Sequence, residues 1–293
     1  MPNLIVYHTG RRMTSEITDA FSRGVIKSNS GWYVKNVPIE QYLDKPKIPD
    51  NTDAVATLGI LRGTGLMLKE AKSRGIDYYY MDHAYYNPGY GGKGRMRITK
   101  NGHACTTLKD VDNISFNTYN NYHIQPWRKN EVRGRKILLL PPTDAVGWFF
   151  DARDWEQYAV AEILKYMPDA EIVVRHKPNE PVVDERGFLI KLDTSIEVKQ
   201  PPLELQLEDC FCVVAYNSMV ALQATLMGIP VITNGNSCCI RISFAFEDLA
   251  TPEKFNYEPR KRNSAIWWLA HNQWKRRSIE DGTAWLVLQK ENF

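Results

Sequence analysis

Long apolar runs are missing from this chain. Met1-Pro2-Asn3 leads straight into Leu4-Ile5-Val6-Tyr7, without the basic start and long apolar core of a signal peptide, and no later run reaches membrane-spanning length. A cytoplasmic protein with no membrane partner is therefore expected. Cysteine is scarce: the five residues, an odd number in no framework spacing, argue against a disulfide-stapled secreted scaffold and for free thiols. Cys210-x-Cys212 and Cys238-Cys239 have no helical His pair to complete a zinc set, and alternate residues of a strand face opposite ways, so buried thiols are expected there. Internal repeats and low-complexity tracts are absent. A net charge of +3 is too small to declare a nucleic-acid binder. Two cofactor signatures are also missing. Gly59-Ile60-Leu61-Arg62-Gly63-Thr64-Gly65 has neither the spacing of a dinucleotide fingerprint nor the lysine of a P-loop. The one Asp-x-Asp triplet, Asp110-Val111-Asp112, follows a poor buried strand and reads as a solvated loop, so no obligatory divalent metal is expected.

What is present is alternation. With 293 residues and 43% hydrophobic content, the chain can bury one large core or two medium ones. Strands are predicted at Leu4–Tyr7, Trp32–Val37, Ala54–Leu58 and Tyr78–Met81, with helices at Met13–Arg23 and Thr64–Arg74. From Tyr85 to Asn130 the pattern gives way to Gly, Asn, Tyr and Lys, with a strong loop signal in NPGYGGKG and a short strand at Met96–Thr99. A second α/β series begins at Arg135: strand Lys136–Leu140, helix Trp155–Tyr166, strand Glu171–Arg175, helix Leu203–Leu207, strand Cys210–Tyr216, helix Met219–Met227 and strand Pro230–Thr233. Near the C-terminus, Arg260-Lys261-Arg262 and Lys275-Arg276-Arg277 bracket a tryptophan-rich segment, read as one helix with Trp267 and Trp274 on a shared face.

Three strand ends carry candidate chemistry. Arg175-His176-Lys177-Pro178 follows an apolar strand and Asn217-Ser218 follows another, so in a parallel sheet both fall at the carboxyl edge, where such folds bind ligands. Ser218 reads as the N-cap of the next helix, where free N–H groups and the helix dipole suit a phosphate; an ordinary capped βα unit is the plainer alternative. Asp82-His83 ends the strand Tyr78–Met81, where either side chain could take a proton from an attacking hydroxyl, or Asp82 could cap a turn while His83 packs on tyrosines. Arg62 in its glycine turn, and Arg11 in Thr9-Gly10-Arg11-Arg12, either meet a sugar or phosphate or simply accompany tight turns.

The order of an H-x-P element at a strand end, a polar strand-to-helix turn with Ser, and a helix closing in Gly228-Ile229-Pro230-Val231 resembles the donor-binding domain of GT-B glycosyltransferases across residues 135 to 235. Among these it is most similar to the capsule-polysaccharide type, in which a His-Pro element and a later Ser-containing element grip the nucleotide of the donor sugar. This chain has His176-Lys177-Pro178 where that pattern has adjacent His-Pro, and Gln223 where many GT-B enzymes place a glutamate that receives donor hydroxyls. The resemblance implies an α/β, GT-B-like fold of two Rossmann-like domains facing a cleft. Its expected parts are an acceptor-side domain over residues 1–130, a donor-binding domain over 131–250, and a C-terminal helical segment, 251–293, packing back on the first domain. It implies a nucleotide-sugar co-substrate with no further cofactor, bound by Arg175, His176, Lys177, Asn217, Ser218 and Gln223, and metal-independent transfer, inverting for a single displacement. Asp82 is the first choice of base, with His83 orienting it or taking the role itself.

In size and loop character the chain also resembles bacteriophage DNA glycosyltransferases. That likeness implies a hydroxymethylated pyrimidine of double-stranded DNA as acceptor, with the protein in the host cytoplasm. Tyr85, Tyr86 and Tyr90 would stack on the extruded base, and Arg11 and Arg62 would contact acceptor or phosphate. The alternatives are transfer to a glycan or capsule-type polysaccharide, a nucleotide-sugar epimerase, and a non-catalytic nucleic-acid-binding protein.

Overall fold

The computed structural model describes residues 1–89, 94–128, 135–194, 200–255 and 258–290. In chain order the elements are β1 (Asn3–His8), α1 (Arg12–Lys27), β2 (Tyr33–Pro38), α2 (Ile39–Asp44), β3 (Ala54–Leu58), α3 (Thr64–Ser73), β4 (Asp77–His83), β5 (Arg95–Lys100), β6 (Lys136–Leu140), α4 (Asp144–Phe149), α5 (Trp155–Tyr166), β7 (Glu171–Val174), β8 (Glu180–Val183), β9 (Leu189–Asp193), α6 (Leu203–Glu208), β10 (Cys212–Ala215), α7 (Val220–Leu226), β11 (Val231–Thr233), α8 (Pro259–His271), β12 (Trp274–Lys275), α9 (Arg276–Glu280) and α10 (Thr283–Lys290). The chain divides into two compact units: Met1–Cys105 with Asp184–Phe188 and Asn272–Phe293, and Thr106–Val183 with Leu189–His271.

The first unit is built on a sheet of order β12-β5-β4-β3-β1-β2, in which β1 to β4 run parallel and β5 turns back antiparallel on β4. One face of β1 and β3 supplies Leu4, Val6, Ala54 and Ala56 to a core closed by Ile17, Ala20 and Phe21 of α1 and by Trp285 of α10. β1 is a continuous apolar run, Leu4 to Tyr7, buried on both faces, as suits a parallel strand, and one of its faces meets the apolar side of α1 in that core. Gly24 lets α1 approach α9 so closely that a Cβ there would run into the Ile279 carbonyl.

The second unit holds a fully parallel sheet of order β11-β10-β6-β7 and a separate antiparallel hairpin, β8–β9. Ile137, Leu139, Cys212 and Val214 pack against Trp155, Ala159 and Ile163 of α5. All five cysteines are free and buried, and burial pushes the Cys210 thiol up to about 11. The Gly-x-Pro signature has a packing cause here: Gly228 ends α7 at φ +75°, and its missing Cβ leaves room for the Pro126 carbonyl, while Arg128 N–H donates to the Gly228 carbonyl at 3.1 Å.

The unit boundaries lie at Cys105/Thr106 and His271/Asn272, where the sequence suggested 130/131 and 250/251. Helix α8 belongs to the second unit because Arg262, only 4% exposed, donates to the carbonyls of Thr225 (2.7 Å) and Gln125 (2.7 Å). The single tryptophan-rich helix is corrected: it stops at His271, and Trp274 lies in β12, paired with Met96 of β5. Trp268 rather than Trp267 is the buried ring of α8, its indole donating to Thr107 Oγ1 at 3.2 Å. No helix among the described residues is long and apolar enough to cross a membrane.

Candidate functional site

Both sheets reverse their winding direction beside their first strand. In the second unit β7 lies on one side of β6 and β10 on the other, so the crevice outside the carboxyl ends of β6 and β10 is the topological switch point. Asn217 and Ser218 emerge there, directly after the buried Tyr216, whose N–H continues the ladder to the Leu140 carbonyl at 3.1 Å. Ser218 is not the N-cap itself. Met219 holds that position without a side-chain cap bond, and Ser218 Oγ accepts the Val220 N–H at 3.2 Å one residue earlier. The amides of Asn217 and Gln223 make no hydrogen bond to any described residue and are only half-buried, so both retain donors and acceptors for a ligand.

The expected cations of this edge are largely engaged by the protein. Arg175 donates to the Pro201 carbonyl at 2.7 Å and to Gln206 Oε1 at 2.5 Å, fastening the segment before α6 and α6 itself to the end of β7. His176 stands between two carboxylates, Nε2 at 3.7 Å from Glu156 and Nδ1 at 4.0 Å from Glu180. Glu180 is itself fixed by accepting the Asp144 N–H at 2.6 Å at the start of α4. Lys177 is exposed. A cavity of about 480 Å³ lies at the opposite, amino edge of this sheet, lined among others by Arg135, Tyr166, Phe211 and Leu249; it contains none of the motif residues.

In the first unit Asp82 and His83 end β4, but they differ in state. Asp82 Oδ2 accepts from Tyr80 Oη (2.7 Å) and from Arg97 Nη2 (2.9 Å), and Oδ1 accepts the His83 N–H (2.7 Å). Burial pushes the carboxyl up, but the Arg97 cation, His103 and these hydrogen bonds outweigh it and hold it below the usual carboxylate range. Both carboxylate oxygens of Asp82, the first choice of base, are thus already accepting hydrogen bonds within the protein, and its pairing with Arg97 ties β4 to β5. Arg97 is the residue the sequence reading missed. It is 4% exposed, donates to the His83 carbonyl at 3.0 Å and to the His103 carbonyl at 3.2 Å, and is bonded to Asp82 on the paired strand. His103 stacks on Tyr80 with ring centroids 4.8 Å apart, and burial, reinforced by the Arg97 charge, pushes its imidazole down to about 3. His83 is exposed, with its backbone held on both sides by Asp82 and Arg97.

The expected base-stacking tyrosines are corrected. Tyr85 is 4% exposed and its hydroxyl accepts the Cys105 N–H at 2.7 Å; Tyr86 is 0% exposed and its N–H donates to Gln273 Oε1 at 2.9 Å. Neither presents a ring face to a ligand. Tyr90 lies outside the described residues. Asp110 is committed to Arg260 and to Ser264 (2.9 Å), and Asp112 accepts the Ile114 N–H at 3.0 Å, which fits the loop reading of that triplet. Arg11 and Arg62 follow β1 and β3, which are neighbours in the sheet.

These features define an α/β protein of two Rossmann-like units, each with polar residues at the carboxyl edge of its sheet. No protein-family model matches the chain, and no curated protein matches it. Among solved structures it is similar to the β-Kdo 2,4 transferase KpsC of Thermosulfurimonas dismutans, at 14% identity over 91% of this chain and 90% of that one, with a TM-score of 0.45. It is also similar to the UDP-GlcNAc 2-epimerase of Methanocaldococcus jannaschii (12% identity, 98% of each chain, TM-score 0.32) and to the glycosyltransferase SsfS6 of Streptomyces sp. SF2575 (11% identity, 99% and 100%, TM-score 0.30).

Proposed function

We propose that the protein is a glycosyltransferase that moves a sugar from a nucleotide-sugar donor to a hydroxyl acceptor. The observation that carries this reading is the second unit's switch point, where the unpartnered amide of Asn217 and the Ser218 hydroxyl follow β10, with the unpartnered amide of Gln223 on the helix that begins there and His176 after β7, on the far side of β6. In this reading Asn217, Gln223, Ser218 and Lys177 meet the nucleotide sugar, while Arg175 shapes the edge from behind. His83 in the first unit receives the proton of the acceptor hydroxyl. The acceptor oxygen then bonds to the anomeric carbon as the bond from that carbon to the phosphate oxygen breaks, and the nucleotide leaves with the electron pair. A single displacement inverts the anomeric centre, and charge stabilisation by cations and backbone N–H groups needs no metal. Tyr85 and Tyr86 are buried and offer no stacking face to an extruded pyrimidine, so hydroxymethylpyrimidine DNA becomes one acceptor among the hydroxyl compounds to be tried.

The test is calorimetric titration with a panel of nucleoside diphosphates and nucleotide sugars, followed by mass spectrometry of donor with DNA and glycan acceptors. Binding of one nucleotide class, weakened about tenfold or more by Asn217→Ala or Ser218→Ala, is expected. Absence of binding by every panel member would overturn the reading. Sugar rearrangement with no acceptor present would instead establish an epimerase.

A further inference from the structure

The first unit repeats the switch-point geometry with different chemistry. Strand β2 lies on one side of β1 and β3 on the other, so the crevice outside the carboxyl ends of β1 and β3 is this sheet's own switch point. Each strand runs into a glycine with left-handed φ, Gly10 at +67° and Gly59 at +74°, and a Cβ on either would meet nothing within 4 Å, so both turns border open space. Arg11 and Arg62 stand in these two turns. Neither guanidinium has a hydrogen-bond or ion-pair partner among the described residues, although Arg62 is half-buried. Burial and then the nearby Arg11 charge pull the Arg62 guanidinium below its ordinary value, which places the two cations within electrostatic reach of each other. Helices α1 and α3 begin beside them, and neither has a side-chain cap or an acidic residue in its first turn. Thr14, which would be near, spends its hydroxyl on Thr9 and on the Arg11 carbonyl. His8, the last residue of β1, contributes a buried Nδ1 with no partner. Neighbouring Arg12, by contrast, is neutralised by Glu16 at 3.0 Å.

Two unneutralised guanidiniums on neighbouring strand ends, Arg11 exposed and Arg62 half-buried, repel each other unless something anionic completes them. We infer that the carboxyl edge of β1 and β3 is an oxyanion-binding site in which Arg11 and Arg62 grip a phosphate group. Phosphate is preferred to carboxylate because two planar donor forks and a double positive charge match a dianion with three free oxygens. The site lies wholly within the first unit and goes beyond the transfer proposed above: it stands whether or not the second unit takes a nucleotide sugar.

The experiment uses the full chain titrated with inorganic phosphate against chloride at constant ionic strength, followed by arginine side-chain NMR and by thermal unfolding. Phosphate is expected to shift two arginine resonances, assigned to Arg11 and Arg62 by their loss in Arg11→Gln and Arg62→Gln, and to raise the midpoint of unfolding. Each substitution should weaken phosphate about tenfold or more. Arg62→Gly, which suits the left-handed backbone, guards against a folding failure and should weaken it equally; Arg12→Gln should leave it unchanged. Phosphate binding insensitive to Arg11 and Arg62, or none at all, would overturn the site. Acetate or citrate binding there in place of phosphate would overturn the preference for phosphate.

Discussion

The two sheet edges have the same winding but differ in which of their charged groups the fold has already paired. In the second unit two of the three basic residues that the sequence offers for a ligand already face protein groups: Arg175 is bonded to Pro201 and Gln206, and His176 sits between Glu156 and Glu180, while Lys177 is exposed. In the first unit Arg11 and Arg62 have no such partners, while the acidic residue at the edge, Asp82, is fully engaged. A charged residue at a strand end therefore does not by itself mark a ligand contact. What decides is whether the fold has already satisfied it. By that criterion the uncommitted candidates among the described residues are the amides of Asn217 and Gln223 with the exposed Lys177 in one unit and the guanidiniums of Arg11 and Arg62 in the other.

The comparison breaks most severely at Arg97. Removing one partner of a largely buried ion pair leaves the other charge unpaired, so Arg97→Ala is expected to cost about 3 kcal/mol of stability, read by urea unfolding. Asp82→Asn should also destabilise, because Arg97 then keeps its buried charge, whereas His83→Ala should abolish transfer with stability almost unchanged. Loss of transfer in Asp82→Asn without loss of stability would return the base role to Asp82.

Next in size is an acid dependence confined to the first unit. His103 has a folded value of about 3 against an ordinary 6.5, so below pH 6.5 the unfolded chain takes up a proton that the folded chain does not. Its contribution falls as pH drops from about 6.5 toward 3 and is constant above. Asp82, held below the carboxylate range, adds stability above its unfolded value, near pH 3.9, that is lost as pH falls through its folded value. His103→Phe, which keeps a ring over Tyr80, should flatten the upper part of this acid slope in urea midpoints and leave the lower part.

The smallest effect sharpens the contrast by improving stability. Arg62 holds φ +63° without a glycine and beside a like charge, so Arg62→Gly should raise stability by up to ~1 kcal/mol while weakening phosphate binding. Such an exchange of stability for binding is expected where a residue is kept for a ligand.

The sequence made the framework legible because its signals are local. Strands β3 and β6 fall where short apolar runs put them and α5 where helical spacing does, and so do the strand ends that carry His176, Asn217 and Ser218. What stayed hidden depends on pairing across distance. Arg97 reaches Asp82 only because β5 turns back on β4, and the N–H of the buried Tyr86 donates to Gln273, 187 residues away. Trp274 continues the helical spacing of α8, but tertiary pairing with Met96 draws it into a strand. The hairpin β8–β9 has short, half-polar strands that periodicity alone does not separate from loop.

The central claim is that the uncommitted amides at the second unit's switch point hold the nucleotide of a sugar donor. Backbone NMR of the full chain titrated with the nucleoside diphosphate panel tests it most directly. The account predicts that one nucleotide shifts the amide resonances of Asn217, Ser218 and His176 most strongly, and that Asn217→Ala suppresses those shifts. Titration of the whole panel with those resonances unmoved would contradict it.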